Sequence, residues 1–191
     1  MKKTMHIVLG VTGSIAAYKA AELVRLMKKH GWDVAVVMTA CARKFVTDLT
    51  FRTLSRNPVI TDMFADGVEW EPEHISIADR ADALVIAPCT ANVIAKLAHG
   101  LADDMLSCTA LATVAPIVIA PAMNDRMWDH PATQENISTL KARGVEFVDV
   151  GTGDLACGRE GRGRMADPVC ILSAVERILN ASAGKGRRQA R

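Results

Sequence analysis

The sequence is poor in aromatic residues: only 4% of its 191 residues are Phe, Trp or Tyr, although half are hydrophobic. Aliphatic side chains must therefore fill the core, which suits a single α/β domain at this length. The chain also lacks any apolar run near the roughly 18 residues that a membrane helix needs. The short apolar stretch near its start is broken by Gly10 and Gly13, so it does not form the core of a signal peptide.

Cysteines with the spacing of a disulfide framework or a metal site are also missing. The five cysteines are widely spaced, odd in number and never form a CxxC pair, so neither type of site is indicated. We expect a reduced, cytoplasmic protein that holds no metal and does not bind membranes. The formal net charge is only +2, which argues against a dedicated nucleic-acid binder.

Strands and helices alternate along the chain. Short, continuous runs of Val, Ile and Leu are followed by helical segments, as where Leu23 and Met27 recur one turn apart and Gly31 follows as a stop signal. Continuous apolar strands have both faces covered, and this alternation indicates a parallel sheet. We predict a three-layer α/β/α Rossmann-like (flavodoxin-like) domain with about six parallel strands over residues 1–180. Residues 181–191 are predicted to form a basic disordered tail or linker.

The residues that follow the predicted strands are small or carry hydroxyl groups. Four such stretches, GVTGS, MTACA, PCTAN and PAMN, come at the carboxyl ends of strands, where parallel sheets bind their ligands. In GVTGS the glycines permit a tight turn, and helix amides with the Ser14 hydroxyl can hold an anion. A plain strand–helix turn would have the same pattern, and the motif is neither GxGxxG nor a Walker A loop.

Thr39 in the second stretch and Thr90 in the third add hydroxyl groups at predicted helix starts. Three such turns at one edge of the sheet favour a phosphorylated ligand. The second strand is not followed by the acidic residue that the ribose of NAD requires, because Thr39 stands there. These turns therefore favour a mononucleotide such as FMN over NAD.

Two polar residues near these turns are candidates for catalysis. His74 begins a predicted short helix ahead of the strand that leads into PCTAN, although a capping or solvated histidine would have the same position. Asn124 directly follows a strand and offers both a donor and an acceptor to a carboxylate or amide. A turn asparagine would show the same spacing, so both interpretations of Asn124 stay open.

Cys157 lies in a setting unlike that of the other cysteines. It stands in LACGREGRGRM, which we predict to be a mobile loop because it is too rich in glycine for a stable helix and too polar for a core. Arg159, Arg162 and Arg164 could stabilise a thiolate there or contact a phosphate. An incidental cysteine is the alternative. The remaining cysteines lie in apolar or helical segments, as structural thiols do.

Taken together, these segments resemble the homo-oligomeric flavin-containing cysteine decarboxylases. The resemblance rests on GVTGSIAAYK, on the segment that begins at His74, on PAMNDRMW and on ACGREGRGRM, and it runs from about Ile7 to Asn180. The combination of PAMNxxMW with Cys157 is a specific signal of this family. The nucleotide loops are less specific, because the flavin prenyltransferases share them.

The resemblance implies an FMN-dependent carboxy-lyase that converts 4'-phosphopantothenoylcysteine to 4'-phosphopantetheine in coenzyme A biosynthesis. The implied route is oxidation to a thioaldehyde, loss of CO2 and reduction of the enethiolate. His74 would act at the oxidation step, Asn124 would hold the carboxylate, and Cys157 would deliver the final proton from a lid. The family also implies a homo-oligomer, a trimer or a dodecamer, with the active site at the subunit interface.

The resemblance also assigns binding residues by motif. The implied FMN contacts are Gly13, Ser14, Ile15, Thr39, Thr90, Ala91, Asn92 and Val93, and the implied substrate contacts are Ala122, Met123, Asn124 and Arg164. Three other functions remain open: a peptidyl-cysteine decarboxylase, a flavin prenyltransferase and a non-catalytic FMN-binding regulatory subunit. Cys157 counts against the first and PAMN against the second. The presence of His74, Asn124 and Cys157 together counts against the third.

Overall fold

The computed structural model describes residues 4–63, 73–154 and 158–189, in which strands and helices alternate. The strands are β1 His6–Val11, β2 Asp33–Met38, β3 Val59–Ile60, β4 Ala83–Cys89, β5 Ile117–Pro121, β6 Glu146–Phe147, β7 Gly151–Asp154 and β8 Glu160–Arg164. The helices are α1 Ala17–Lys29, α2 Asp48–Ser55, α3 Glu73–Arg80, α4 Ala91–His99, α5 Met105–Ala112, α6 Asp125–Trp128, α7 Pro131–Ala142 and α8 Pro168–Gln189.

Six strands form one parallel sheet in the order β3-β2-β1-β4-β5-β6. Strand β1 lies at its centre, with Val8 opposite Ala35 of β2 on one side and Leu84 of β4 on the other. The chain crosses the sheet in one direction from β1 and in the other from β4. The crevice between the ends of these two strands is therefore the topological switch point, where such sheets bind ligands. The predicted three-layer α/β/α class with about six parallel strands is confirmed.

Two clusters of buried side chains cover the two faces of the sheet, because alternate residues of a strand point to opposite faces. Leu9 and Val85 point to the face that α1, α2 and α8 cover. Val8 and Leu84 point to the face that α3, α4, α5 and α7 cover. None of these four side chains is more than 3% exposed. The two layers of helices are therefore separated by the full thickness of the sheet.

Helix α1 shows how the sequence pattern produces this packing. Leu23 and Met27, the residues one turn apart in the sequence, are both fully buried against the sheet. The helix ends at its C-cap His30, and Gly31 follows with a φ of 87°, a conformation that glycine adopts at little cost. The predicted helix and its stop are confirmed.

The segment that we predicted to be a mobile loop contains a strand. Residues Glu160–Arg164 form β8, which pairs antiparallel with β7 outside the main sheet, with Thr152 opposite Arg162. The prediction was wrong for these residues because composition reports only the intrinsic preference of a segment. Pairing with a neighbouring strand supplies the hydrogen bonds that the composition does not foretell.

The end of the described chain is helical. The backbone of residues 181–189 continues helix α8 to Gln189. The division of the chain at residue 180, with a tail or linker after it, stays a prediction.

Candidate active site

One buried hydroxyl group joins the ends of β1 and β4. The Oγ1 of Thr12, a fully buried residue, donates a hydrogen bond to the carbonyl of Pro88 at 2.7 Å. It accepts a second one from the backbone N–H of Thr90 at 3.1 Å. These hydrogen bonds hold the turn after β1 against the turn after β4 at the switch point, although Thr12 and Pro88 are 76 residues apart in the chain. Sequence reasoning missed Thr12, although the signal was there: a hydroxyl residue directly after an apolar strand.

Gly13 lies where the turn after β2 approaches the turn after β1. A Cβ atom on Gly13 would collide with the Cβ of Cys41, so glycine is what allows the two turns to pack this closely. Thr39 also holds the turn after β2 next to the end of β1. Its N–H donates to the carbonyl of Val11 at 3.1 Å, and its Oγ1 accepts from the N–H of Ala42 at 3.2 Å. Both predicted cofactor residues thus have packing roles beside the switch point.

Thr90 begins the turn after β4 and caps α4. Its Oγ1 accepts a hydrogen bond from the N–H of Val93 at 3.4 Å. The side chain of Val93 is 4% exposed and belongs to the core, whereas Asn92 is exposed and Ala91 is half-buried. The first turn of a helix carries backbone N–H groups without helical partners, which are the groups that bind anions.

Ser14 and Ile15 form the turn that leads into α1. The Ser14 N–H donates to the carbonyl of Thr12 at 2.8 Å, and its Oγ accepts from the N–H of Ala16 at 3.3 Å. The side chain of Ile15 is 56% exposed, although isoleucine is usually buried. The turn therefore presents one hydroxyl and one large apolar side chain at the carboxyl edge of the sheet.

The segment after β5 crosses that edge and meets the hairpin. Ala122 donates its N–H to the carbonyl of Cys89 at 2.9 Å, and Met123 donates its N–H to the carbonyl of Gly163 at 2.9 Å. Gly163 has a φ of 128°, and a Cβ there would collide with the carbonyl oxygen of Met123. Glycine is therefore needed for both the backbone conformation and the close approach. These contacts fasten the β7–β8 hairpin to the segment after β5.

Asn124 is the N-cap of α6. Its Oδ1 accepts a hydrogen bond from the N–H of Arg126 at 3.0 Å, and its backbone carbonyl accepts from the N–H of Trp128 at 2.9 Å. The capping role uses the oxygen of the amide, whereas the predicted binding of a carboxylate would use the nitrogen, which donates. The two interpretations of Asn124 are thus compatible, because the cap orients the amide group.

The three arginines of the hairpin region differ in their surroundings. Arg159 forms an ion pair with Asp125, with Nη2 3.3 Å from Oδ1. Arg162 is exposed and lies opposite Thr152 on β7. Arg164 is the one that lines a cavity between the hairpin and α1.

That cavity has a volume of about 420 Å³ and joins the start of α1, the segment after β5 and the hairpin. Six of the predicted site residues line it: Ser14, Ile15, Ala122, Met123, Asn124 and Arg164. The other predicted cofactor residues do not line it: Gly13, Thr39, Thr90, Ala91, Asn92 and Val93. The cavity therefore unites the start of the predicted cofactor loop with the whole of the predicted substrate segment.

Sequence reasoning missed five side chains that line this cavity: Ala16, Tyr18, Lys19, Asp154 and Met165. Lys19 lies in the first turn of α1, directly after the predicted cofactor turn, so its position in the chain could have suggested that it lies near the site. Its Nζ lies 3.3 Å from Oδ1 of Asp167 and 3.5 Å from the carbonyl oxygen of Met165. The side chain of Lys19 is 15% exposed, whereas that of Asp167 is 79% exposed.

Two predicted catalytic residues are not brought to the cavity by the described part of the chain. His74 lies on α3, which packs through Ile77 against the face of the sheet opposite to α1, and it does not line the cavity. Cys157 lies outside the described residues. Of the two predicted catalytic residues that the structure describes, Asn124 lines the cavity and His74 does not.

Cys89 sits at the end of β4, close to these turns, but it is no candidate nucleophile. Burial raises the pKa of its thiol, which therefore stays protonated, and the side chain is fully buried in the core. It acts as a small apolar residue, as the sequence analysis expects of a structural cysteine.

Two further observations limit the chemistry of the described residues. Across these residues, His, Cys, Asp and Glu side chains form no group of three or more that could hold a metal ion. None of the helices in the described part of the chain has the length and apolar character that crossing a membrane requires.

A comparison with protein-family models matches residues 1–180 to the family described as Flavoprotein. Among curated proteins, the chain is 47% identical over 177 residues to the coenzyme A biosynthesis bifunctional protein CoaBC of Bacillus subtilis. That match covers 93% of this chain but 44% of the Bacillus protein. The chain thus spans less than half the length of this relative.

Solved structures show the same similarity in three dimensions. A PPC decarboxylase mutant complexed with pantothenoylaminoethenethiol superposes with a TM-score of 0.83 at 31% identity, covering 91% of this chain and 97% of that one. The FMN-dependent cysteine decarboxylase SpaF gives a TM-score of 0.79 at 32% identity, covering 94% of this chain and 97% of that one. The motif resemblance is confirmed in sequence and in fold.

Proposed function

The chain belongs to the Flavoprotein family, and from this premise we propose that it converts 4'-phosphopantothenoylcysteine to 4'-phosphopantetheine with FMN as its cofactor. The cavity of about 420 Å³ carries this proposal, because Ser14 and Ile15 face the same space as Ala122–Asn124. The names of the similar proteins, which refer to coenzyme A biosynthesis and to PPC decarboxylase, support this substrate. The reaction would take place in the cytoplasm as a step of coenzyme A biosynthesis.

We assign FMN to the switch-point crevice. Three turns would hold it, through Gly13, Ser14, Ile15, Thr39, Thr90, Ala91, Asn92 and Val93. The arrangement of these turns suits a nucleotide because the Thr12 hydroxyl keeps the first and third in register. Gly13 lets the second turn pack closely against the first. Helices α1 and α4 both begin at this edge, and their amino ends favour a phosphate group.

When bound, FMN supplies the two-electron oxidation of the substrate's thiol-bearing carbon and the matching reduction at the end of the cycle. In the oxidised substrate a C=S group lies β to the carboxylate, so CO2 can leave while its electron pair is delocalised onto sulfur. Asn124 would hold that carboxylate through its Nδ2 donors, while its Oδ1 caps α6 and fixes the orientation of the amide. Cys157 would give the final proton to carbon, from the segment next to Arg159.

We further propose that the site is completed by a second copy of the chain, in a homotrimer or a dodecamer built from trimers. His74, which would act as the base or orienting group at the oxidation step, lies on the face of the sheet opposite to α1. It would therefore reach a cavity that belongs to a neighbouring copy. Three exposed apolar side chains on the α4–α5 side support such an interface, namely Leu101, Leu111 and Val114, which are 56%, 64% and 98% exposed.

An absorbance spectrum of the purified protein tests this function directly. We expect a flavin spectrum, which bleaches and recovers when 4'-phosphopantothenoylcysteine is added without oxygen. We also expect mass spectrometry to identify 4'-phosphopantetheine as the product. The matched control is 4'-phosphopantothenoylserine, in which a hydroxyl replaces the thiol; it should bind and leave the flavin oxidised, because it has no thiol to oxidise to C=S.

The other outcomes point to other functions. A yellow protein that leaves this substrate unchanged would refute the proposed reaction and favour a peptidyl-cysteine decarboxylase or a regulatory subunit. A protein that transfers a prenyl group to its flavin would be a prenyltransferase. A colourless protein that cannot be loaded with FMN would overturn the assignment of the cofactor.

A further inference from the structure

Three charged side chains among the described residues line the cavity, and two of them are cationic: Lys19, Arg164 and Asp154. The side chain of Lys19 is 15% exposed, and a buried ammonium group needs partners to offset its lost hydration. One partner is the carbonyl of Met165 at 3.5 Å, and the other is the carboxylate of Asp167 at 3.3 Å. Because Asp167 is 79% exposed, this ion pair is weak and can be exchanged for a stronger anion.

Arg164 is held opposite a glycine that leaves room for it. A Cβ on Gly153 would lie 2.6 Å from Nη1 of Arg164, so the guanidinium occupies the space that a side chain on β7 would fill. Of the three arginines of the hairpin region, Arg159 is paired with Asp125 and Arg162 does not line the cavity. The structure therefore selects Arg164 among the three as the arginine that faces a ligand in the cavity.

We propose that Lys19 and Arg164 form the subsite that binds the phosphate group of the substrate, an inference that rests on the proposed function. A phosphate dianion pairs well with a lysine as a point charge and with an arginine through two parallel N–H donors. The phosphate would replace the exposed carboxylate of Asp167 as the partner of Lys19. Asp154 offsets one of the two positive charges, so the described lining keeps a net positive charge, which favours an anion such as phosphate.

The other anionic group of the substrate is less suited to this pair. The carboxylate loses its charge when it leaves as CO2, so a strong cationic pair at that position would stabilise the bound substrate more than the transition state. A neutral amide such as that of Asn124 orients the carboxylate without that penalty. The phosphate keeps its charge throughout the reaction, so cations that bind it contribute equally to every step and lower KM.

The test compares 4'-phosphopantothenoylcysteine with pantothenoylcysteine, which lacks the phosphate, on FMN-loaded protein. Lys19→Met and Arg164→Met should each raise KM for the phosphorylated substrate about tenfold or more, with kcat nearly unchanged. The rise in KM should be much smaller with pantothenoylcysteine, which has no phosphate for the two cations to bind. Lys19→Arg should restore part of the affinity because it keeps the charge. Matched controls are Lys29→Met, on the exposed side of α1, and Arg162→Met, on the same strand as Arg164.

A binding measurement separates failure of the subsite from failure of the function. Calorimetric titration with 4'-phosphopantetheine and with pantetheine needs no turnover. If the wild type turns over neither substrate but binds the phosphorylated molecule more tightly, and Lys19→Met removes that preference, the subsite stands and the reaction does not.

Two results would overturn the subsite. One is equal binding of the two molecules by the wild type. The other is loss of FMN from Lys19→Met or Arg164→Met during gel filtration, which would assign these cations to the cofactor's phosphate instead.

Discussion

The two faces of the sheet meet the carboxyl edge in different ways. On the side of α1 and α8, a turn, a strand end and a hairpin enclose one cavity, and backbone hydrogen bonds such as that from Met123 to Gly163 hold its walls. On the side of α3 and α4, His74 and the first turn of α4 do not line that cavity. Residues that the sequence presents as one site are thus divided between two faces.

This division indicates how a site of this kind can be assembled. Because α3 packs on the face opposite to α1, the proposed homo-oligomer would bring His74 of one copy to the cavity of another. The α1 side would supply substrate contacts, and the α3 side of another copy would supply His74.

The first prediction concerns the α3 side. His74→Asn should retain FMN but lose about 100-fold or more in the rate of flavin reduction, because it removes a base or orienting group at the oxidation step. Stopped-flow absorbance under anaerobic conditions measures this rate. His99→Asn is the matched control, since His99 is exposed in the last turn of α4. Normal flavin bleaching in His74→Asn would remove this residue from the reaction.

The same variant tests whether the two faces cooperate across copies. Asn124→Asp keeps an oxygen to cap α6 but replaces the amide donors, so it should be inactive alone. When it is unfolded and refolded together with His74→Asn, mixed oligomers should regain activity, because some interfaces combine an intact His74 with an intact Asn124. Activity that stays at the level of the separate variants would place the whole site within one protomer.

The second prediction concerns the wall of the cavity. Gly163→Ala should lower the free energy of unfolding by about 2–4 kcal/mol, because it combines a strained backbone with a collision against the Met123 carbonyl. KM for the substrate should rise as well. Gly158→Ala is the control, since its φ of 78° is also positive but no atom lies within 4 Å of an added Cβ. Equal losses in the two variants, measured by urea unfolding, would mean that the hairpin does not depend on the close contact.

The third prediction concerns the link between the faces at the switch point. Thr12→Val should lower the free energy of unfolding by about 1–3 kcal/mol, because it leaves the Pro88 carbonyl and the Thr90 N–H without their partner. It should also weaken FMN retention, which fluorescence of released flavin would report. Thr12→Ser keeps the hydroxyl and should retain FMN as the wild type does. If Thr12→Val loses stability but holds FMN equally well, the hydroxyl does not position the turns for the cofactor.

The fourth prediction concerns the stability of the α4–α5 side. Burial is the largest influence on the pKa of Asp104 and raises it, but hydrogen bonds from Ser107 and Lys96 and the charge of Lys96 hold it below its ordinary value of 3.8. A carboxyl whose pKa is lowered on folding stabilises the fold above its unfolded pKa and loses this contribution as the pH falls. Asp104→Asn keeps an oxygen to cap α5 and should lose the charge together with the hydrogen bond that Oδ2 accepts from Lys96.

We expect Asp104→Asn to be less stable than the wild type at pH 7, by about 1 kcal/mol or less, and the difference to shrink as the pH falls below the ordinary pKa. Urea unfolding across a pH series measures it. A difference that stays constant down to acidic pH would mean that the ionised carboxylate does not contribute. High salt should reduce the effect, because this ion pair is partly exposed.

Much of the fold was predictable because the signals are local. The strands are continuous apolar runs, and the spacing of Leu23 and Met27 with Gly31 after them described α1 correctly. Helix α5 escaped prediction because its sequence MLSCTALA is apolar on nearly all sides and shows no helical period. A capping box between Asp104 and Ser107 marks its start. These two residues indicate a cap only where a helix is already expected to follow them.

The site was predictable in its chemistry but not in its arrangement. Ser14, Asn124 and Arg164 were identified from motifs and do line one cavity. Lys19 and Thr12 were missed for different reasons. Lys19 looks like an ordinary surface lysine until the segment after β8 contacts it. Thr12 looks like a turn residue until Pro88 and Thr90, 76 and 78 residues further along the chain, pack against it.

The sequence by itself determined which elements form and which chemical groups stand at the carboxyl ends of the strands, because periodicity, glycine stops and turn residues act within a few positions of one another. Only the tertiary structure decided on which face each group lies, that EGRGR becomes a strand, and that Lys19 and Arg164 share a cavity. Those outcomes depend on which strands pair and on which side each connecting helix packs. Such contacts join distant parts of the chain and leave no local pattern.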